Sequence, residues 1–181
     1  HRDLHSFPTR RSSDLMLIRD LDKDSQQPDR AVLDAAAAAG TPFEFRHDAL
    51  KVGRASLKPF SFDATDCPDL FPPLVALASA CPGETELKGV GRLGGKESDR
   101  AASLMAMLKH LGIGSEIRGD RMRIHGARPS GGRVEAWGDH RIAMAAAVAA
   151  LAAESPVVIE GAECVAKSWP RFFEDFDSLK A

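Results

Sequence analysis

An α/β fold built from repeated βαβαββ modules is predicted by two observations on this sequence. The first is self-similarity at about seventy residues. Asp29-Arg30 stands seventy residues before Asp99-Arg100, and Arg171 stands seventy-one after Arg100. Glu44-Phe45-Arg46-His47-Asp48-Ala49-Leu50-Lys51-Val52 aligns with Glu116-Ile117-Arg118-Gly119-Asp120-Arg121-Met122-Arg123-Ile124, with Glu, Arg and Asp in register. The second is an alternation of two kinds of helix between short strands. One kind is Ala-rich and apolar nearly all round, so it must be buried, and the other is amphipathic and faces water on one side. A single domain is expected, with an incomplete unit first, a whole unit second and a last unit closing the chain.

The elements follow in order. Met16 to Gln27 is polar and shows no obvious strand. Pro28 to about Ala39 reads as a helix, with Pro in its first turn, an Ala run and a stop at Gly40. Thr41 to Val52 reads as two strands around a turn at His47-Asp48, and Ser61 to Ala64 as another strand. Asp66-Cys67-Pro68-Asp69 leads into a buried helix from Pro72 to about Ala80, ended by Pro82-Gly83, and Thr85 to Val90 alternates as a strand. In the next helix Ala101, Leu104, Met105, Leu108 and Leu111 recur at helical spacing, with Ser98 as candidate N-cap and Gly112 as C-terminal cap. Ser115 to Ile124 gives two strands about Gly119-Asp120, and Arg133 to Ala136 one more. Asp139-His140-Arg141 opens an Ala-rich helix to about Ala153. Pro156 to Glu160 is a strand, and Lys167-Ser168-Trp169-Pro170-Arg171 opens a last helix whose Phe172, Phe173 and Phe176 belong to the core.

Residues 1 to 15 stand apart. The run Phe7-Pro8-Thr9-Arg10-Arg11-Ser12-Ser13-Asp14-Leu15 resembles the translated read-through of a sequencing-adapter oligonucleotide, so the fold is expected to occupy residues 16–181 and to be N-terminally truncated. Without the leader's three basic and two acidic residues, the 24 basic and 26 acidic residues fall to 21 and 24, a net charge of −3. No basic excess points to nucleic acid, and any anion site must be local. With 44% hydrophobic residues and no long apolar run, no membrane span is expected. Cys67, Cys81 and Cys164 are odd in number and lack CxxC spacing, which reads as reduced thiols in a cytoplasmic protein with no zinc site.

Charged residues collect at helix starts. Gly94-Gly95-Lys96-Glu97-Ser98-Asp99-Arg100 combines a tight turn, two cations and a helix N-terminus, where free N–H groups and the helix dipole favour an anion. A well-capped surface helix with local ion pairs would use the same residues. Asp69, Lys96, Glu97, Arg100, His140, Arg141 and Lys167 occupy equivalent points of the repeat, so parallel helices would gather them on one face. Singly, Asp69 and Asp139 read as N-caps, His140 as a partly buried core histidine and Lys167 as a surface charge. Together, four cations with carboxylates between them suit a small, multiply anionic substrate: arginines give forked contacts to phosphate and carboxylate, and carboxylates move protons.

Lys96-Glu97-Ser98-Asp99-Arg100, Asp139-His140-Arg141-Ile142-Ala143-Met144-Ala145, Ala166-Lys167-Ser168-Trp169-Pro170 and Pro68-Asp69 resemble, in order and spacing, motifs of the enolpyruvyl transferase family, in its branch acting on shikimate 3-phosphate. The resemblance implies an inverse α/β barrel-like fold of two domains, each of three such modules, with this chain forming most of the C-terminal one. It implies transfer of the enolpyruvyl group of phosphoenolpyruvate to the 5-hydroxyl of shikimate 3-phosphate with release of phosphate, a step towards chorismate and the aromatic amino acids, without cofactor or metal. Asp69, Glu97 and Lys96 are then implied as catalytic residues. Asp69 and Lys96 would touch shikimate 3-phosphate, and Arg100, Arg141 and Lys167 would hold phosphoenolpyruvate, with His140 a further possibility. Gly94 stands where many members carry a basic residue, and Arg92 where some carry an Asn that touches the sugar phosphate, so that contact is not carried over. The missing N-terminal half is the implied partner, and the piece alone is expected to be inactive. Two other readings are a transferase acting on UDP-N-acetylglucosamine, which the Lys96 to Arg100 motif fits poorly, and a non-catalytic anion-binding repeat module.

Overall fold

The computed structural model describes residues 15–46, 49–95 and 98–179; Lys96 and Glu97, and the turn at His47-Asp48, lie outside the described residues. The first module runs through β1 (Leu15–Arg19), a 3-10 turn (Pro28–Ala31) continuing into α1 (Val32–Ala38), β2 (Phe43–Arg46) and β3 (Ala49–Gly53). The second is a whole βαβαββ unit: β4 (Ser61–Asp63), a 3-10 turn (Pro68–Leu70) leading into α2 (Phe71–Ser79), β5 (Gly83–Lys88), α3 (Arg100–His110), β6 (Gly114–Arg118) and β7 (Arg121–Gly126). The third follows the same order through β8 (Gly132–Glu135), α4 (His140–Ala150), β9 (Val157–Glu160), a 3-10 turn (Ala162–Lys167) and α5 (Phe172–Ser178).

Pairing repeats with the sequence. β4 runs parallel to β5 with Ser61 opposite Glu86, and β8 runs parallel to β9 with Gly132 opposite Val157; each pair is joined by a buried helix, α2 or α4. The outer strands close as antiparallel hairpins, β7 pairing with both β5 and β6 in a sheet ordered β4-β5-β7-β6. In the first module β3 lies between β1 and β2, and Met16 faces Val52. That strand corrects the expectation of an unstructured Met16 to Gln27, and Leu15, assigned to the leader, is its first residue. All five β1 residues are exposed, so the burial alternation that marks a strand is missing there.

The inner helices pack on each other because they are made of small and branched apolar residues. Leu74, Val75 and Ala78 of α2 and Ile142, Ala143, Ala146, Ala147 and Ala150 of α4 are all buried. Pro72 and Pro73 cost α2 little, since first-turn N–H groups have no intrahelical acceptor. α3 buries Leu104, Met107 and Leu108, and its exposed side carries Lys109 and His110. At the end of β7 the backbone of Gly126 presses on the end of α2. A Cβ there would lie 2.1 Å from the Cys81 carbonyl oxygen and 2.2 Å from that of Ala78. Both obstacles are backbone, which cannot yield by changing rotamer, so Gly126→Ala is expected to destabilise by about 1–3 kcal/mol. A thermal melt of Gly126→Ala within a degree of the parent would show that the contact is looser than this.

Cys67, Cys81 and Cys164 are free and buried. Burial pushes the Cys81 thiol up to about 11, and burial is also the leading cause that raises Cys67 and Cys164 above the ordinary 9.0. The folded chain therefore holds neutral, shielded thiols. Reaction with a thiol reagent at neutral pH is expected to be slow until denaturant is added, and rapid modification of all three in the native state would contradict this burial.

Candidate functional site

Three helix entries meet at one place. Asp69 comes from the 3-10 turn before α2, Ser98 to Arg100 from the entry to α3, and Asp139 to Arg141 from the entry to α4. Arg100 Nε donates to Asp139 Oδ2 at 3.0 Å, and its Nη1 donates to Asp69 Oδ1 at 3.1 Å. Arg141 Nη2 donates to the other Asp69 oxygen, Oδ2, at 2.7 Å. The backbone N–H of Arg141 donates to Asp139 Oδ1 at 2.9 Å. These four bonds form a closed ring of two arginines and two aspartates linking three elements that lie far apart in sequence.

Its members differ in exposure, and that sets their chemistry. Arg100 and Asp139 are fully buried, whereas the side chains of Arg141 and Asp69 retain 30% and 35% of their accessible surface. The half-exposed Arg141–Asp69 pair is thus the side of the ring a solute can reach. Burial alone would push the Asp139 carboxyl up; the Arg100 guanidinium, helped by the Arg141 N–H and Ser98, outweighs it and holds the carboxyl below its ordinary value.

Several expectations change here. Ser98 does not cap α3: the helix begins at Arg100, the cap is Asp99, whose carboxylate accepts from Ala102 N at 3.1 Å, and Ser98 Oγ donates to Asp139 at 3.1 Å. Asp69 caps no helix, because neither the 3-10 turn nor α2 has a side-chain cap. Asp139 does cap α4 but is also the buried counter-ion of Arg100, a role its cap reading concealed. His140 is buried, and its Nε2 accepts from Arg141 Nη1 at 2.8 Å. Lys167 closes a 3-10 turn rather than opening α5, which starts at Phe172; its Nζ donates to the Gly138 carbonyl at 3.0 Å. That carbonyl is presented by a sharp turn in which Trp137 and Gly138 take φ of 50° and 68°. A tryptophan in the left-handed region costs energy and carries no sequence signal, so this anchor could not have been read beforehand.

The structure therefore brings Asp69, Arg100, His140 and Arg141 together, and ties Lys167 to the turn that precedes Asp139. The predicted Lys96 and Glu97 lie outside the described residues. The arginines do not face one another unrelieved, because Asp69 and Asp139 already stand against Arg100 and Arg141. Among the described residues no group of three His, Cys, Asp or Glu side chains could hold a metal ion, and no helix is long and apolar enough to cross a membrane.

Residues 13–176 match the family model of EPSP synthase (3-phosphoshikimate 1-carboxyvinyltransferase). The chain is 42% identical over 160 residues to the 3-phosphoshikimate 1-carboxyvinyltransferase of Clostridium kluyveri, covering 88% of this chain and 38% of that protein. It is 38% identical over 162 residues to the one of Thermococcus kodakarensis, covering 90% of this chain and 40% of that protein. It superposes on EPSP synthase of Acinetobacter baumannii with a TM-score of 0.79 at 26% identity, over 91% of this chain and 41% of that one. The enolpyruvyl transferase NikO of Streptomyces tendae shares the fold, with a TM-score of 0.63 at 22% identity over 83% of this chain and 36% of that one. The chain spans about two-fifths of the length of the relatives it matches. By sequence and fold alike, it belongs to the EPSP synthase family.

Proposed function

We propose that this chain is the phosphoenolpyruvate-binding and proton-handling part of a 3-phosphoshikimate 1-carboxyvinyltransferase, working in the cytoplasm with the N-terminal part of the same enzyme. The observation that carries the reading is the reachable Asp69 carboxylate lodged between two guanidiniums from two different helix entries. Such a place already accommodates a carboxylate, and it sets a proton acceptor beside the groups that would hold an anionic substrate.

In this reading Arg141 and Lys167 hold the phosphate and carboxylate of phosphoenolpyruvate, and Arg100 joins them as Asp69 turns toward the second substrate. Asp69 and Lys96 contact shikimate 3-phosphate. Asp69 takes the proton from the 5-hydroxyl while the hydroxyl oxygen forms a bond to C2 of phosphoenolpyruvate, and Glu97 delivers a proton to C3. The tetrahedral adduct then returns a proton from C3 to the Glu97 carboxylate as the bond from C2 to the phosphate oxygen breaks. The double bond returns, now on the shikimate ether, and inorganic phosphate leaves. Fixed cations suit both halves, because charge moves onto the departing phosphate.

The test joins this chain to the N-terminal segment of the Clostridium kluyveri relative and follows phosphate release from phosphoenolpyruvate plus shikimate 3-phosphate. Turnover is expected from the joined protein and none from residues 16–181 alone. Both tryptophans, Trp137 and Trp169, lie within four residues of Arg141 or Lys167, so quenching of intrinsic fluorescence is expected on adding phosphoenolpyruvate. A folded joined protein with neither turnover nor quenching overturns the reading.

A further inference from the structure

His140 is placed where a packing role explains little. The residue is 8% exposed at the start of α4, one ring nitrogen faces a cation, and the other, Nδ1, is buried with no hydrogen-bond partner among the described residues. A guanidinium has donors only, so the nitrogen 2.8 Å from Arg141 Nη1 must offer a lone pair. A neutral ring with bare Nε2 carries its proton on Nδ1, and that proton is the buried donor without an acceptor. Folded proteins rarely leave a polar atom in this condition unless the arrangement serves something else.

What it serves is visible at Arg141. One Nη is held by His140 and the other by Asp69 Oδ2 at 2.7 Å. Two anchors on different nitrogens fix both the place and the tilt of a planar group, whereas one anchor would let the guanidinium swing. We propose that His140 is a positioning residue which, as the neutral Nδ1–H form, clamps the end of the Arg141 guanidinium opposite Asp69 and so sets the plane in which Arg141 meets the anionic substrate. This rests on the reading of Arg141 as a substrate ligand.

The test uses the full-length enzyme. With ring-15N histidine, His140 is expected to give a pyrrole-type Nδ1 and a pyridine-type Nε2; the reverse pattern, or an imidazolium, overturns the proposal. His140→Gln can carry its Oε1 to the Nε2 position and is expected to keep the KM for phosphoenolpyruvate within about threefold. His140→Leu has similar bulk and no acceptor, and is expected to raise that KM about tenfold with a smaller fall in kcat. Equal KM values for Gln and Leu variants overturn the clamp, because a space-filling role would not distinguish them. If the Leu variant does not fold, the ring spectrum decides by itself. Arg141→Ala separates the parent reading: an unchanged KM for phosphoenolpyruvate in that variant removes Arg141 as a substrate ligand, independently of the His140 spectrum.

Discussion

Asp69→Asn in the full-length enzyme is expected to lower kcat by about 10² to 10⁴, the range for loss of a general base. The amide keeps the shape of the carboxylate and an oxygen for one guanidinium, but it cannot take the proton of the attacking hydroxyl. Asp69 has no capping duty, so the loss cannot be assigned to a frayed helix. The change does remove the charge between Arg100 and Arg141, and a parallel melting curve is expected to fall by about 1–3 kcal/mol, the scale of a charged hydrogen bond. Turnover per folded molecule is therefore the deciding quantity. If Asp69→Asn melts earlier yet keeps the parent kcat, Asp69 is an ionic brace between helices and the proposed mechanism fails. Glu97→Gln is expected to lose kcat in the same range.

The parts of the molecule that were legible in the sequence are those whose signal is local or periodic. The Ala-rich runs announced α2 and α4, and Gly119-Asp120 announced the β6–β7 hairpin, which spans Gly114–Gly126 as expected from Ser115 to Ile124. The seventy-residue repeat announced the βαβαββ order, now visible as two parallel pairs with matching crossovers. What was not legible depended on partners across the chain. Ser98 looked like a cap because its neighbours are helical, but its hydroxyl is turned to Asp139, forty-one residues away. Asp139 looked like a cap and is one, yet nothing near it announces the guanidinium it neutralises thirty-nine residues upstream. β1 was missed because an exposed edge strand lacks the pattern that burial imposes. The residue types of the site were readable from motif and repeat; its ionic ring, which decides what each charge faces, was not.

Asp139→Ala is expected to be the most destabilising single change at the site, by about 3–5 kcal/mol, because it removes one partner of a buried pair and leaves the Arg100 charge in the interior with Asp69. About 1 kcal/mol of that loss would come from the α4 cap. Asp139→Asn separates the two parts: it keeps an oxygen for the Arg141 N–H, and so the cap, but it loses the charge and the acceptor that Arg100 Nε uses, so it should fall between Ala and the parent. Adding Arg100→Met to Asp139→Asn is expected to recover stability, since no buried guanidinium then remains to be neutralised. The pH dependence has a definite sign. The folded carboxyl is held below the unfolded value of 3.8, so its contribution is fully present above that pH and is lost as pH falls through the folded value. The advantage of the parent over Asp139→Asn should therefore be constant near neutrality and narrow below about pH 4. Urea midpoints measured across this range decide the matter. A pH-independent loss of only about 1 kcal/mol in Asp139→Ala, with Asp139→Asn equal to the parent, would mean that Asp139 only caps α4, and the ring of charges would then be an accident of packing rather than what holds the three helix entries together.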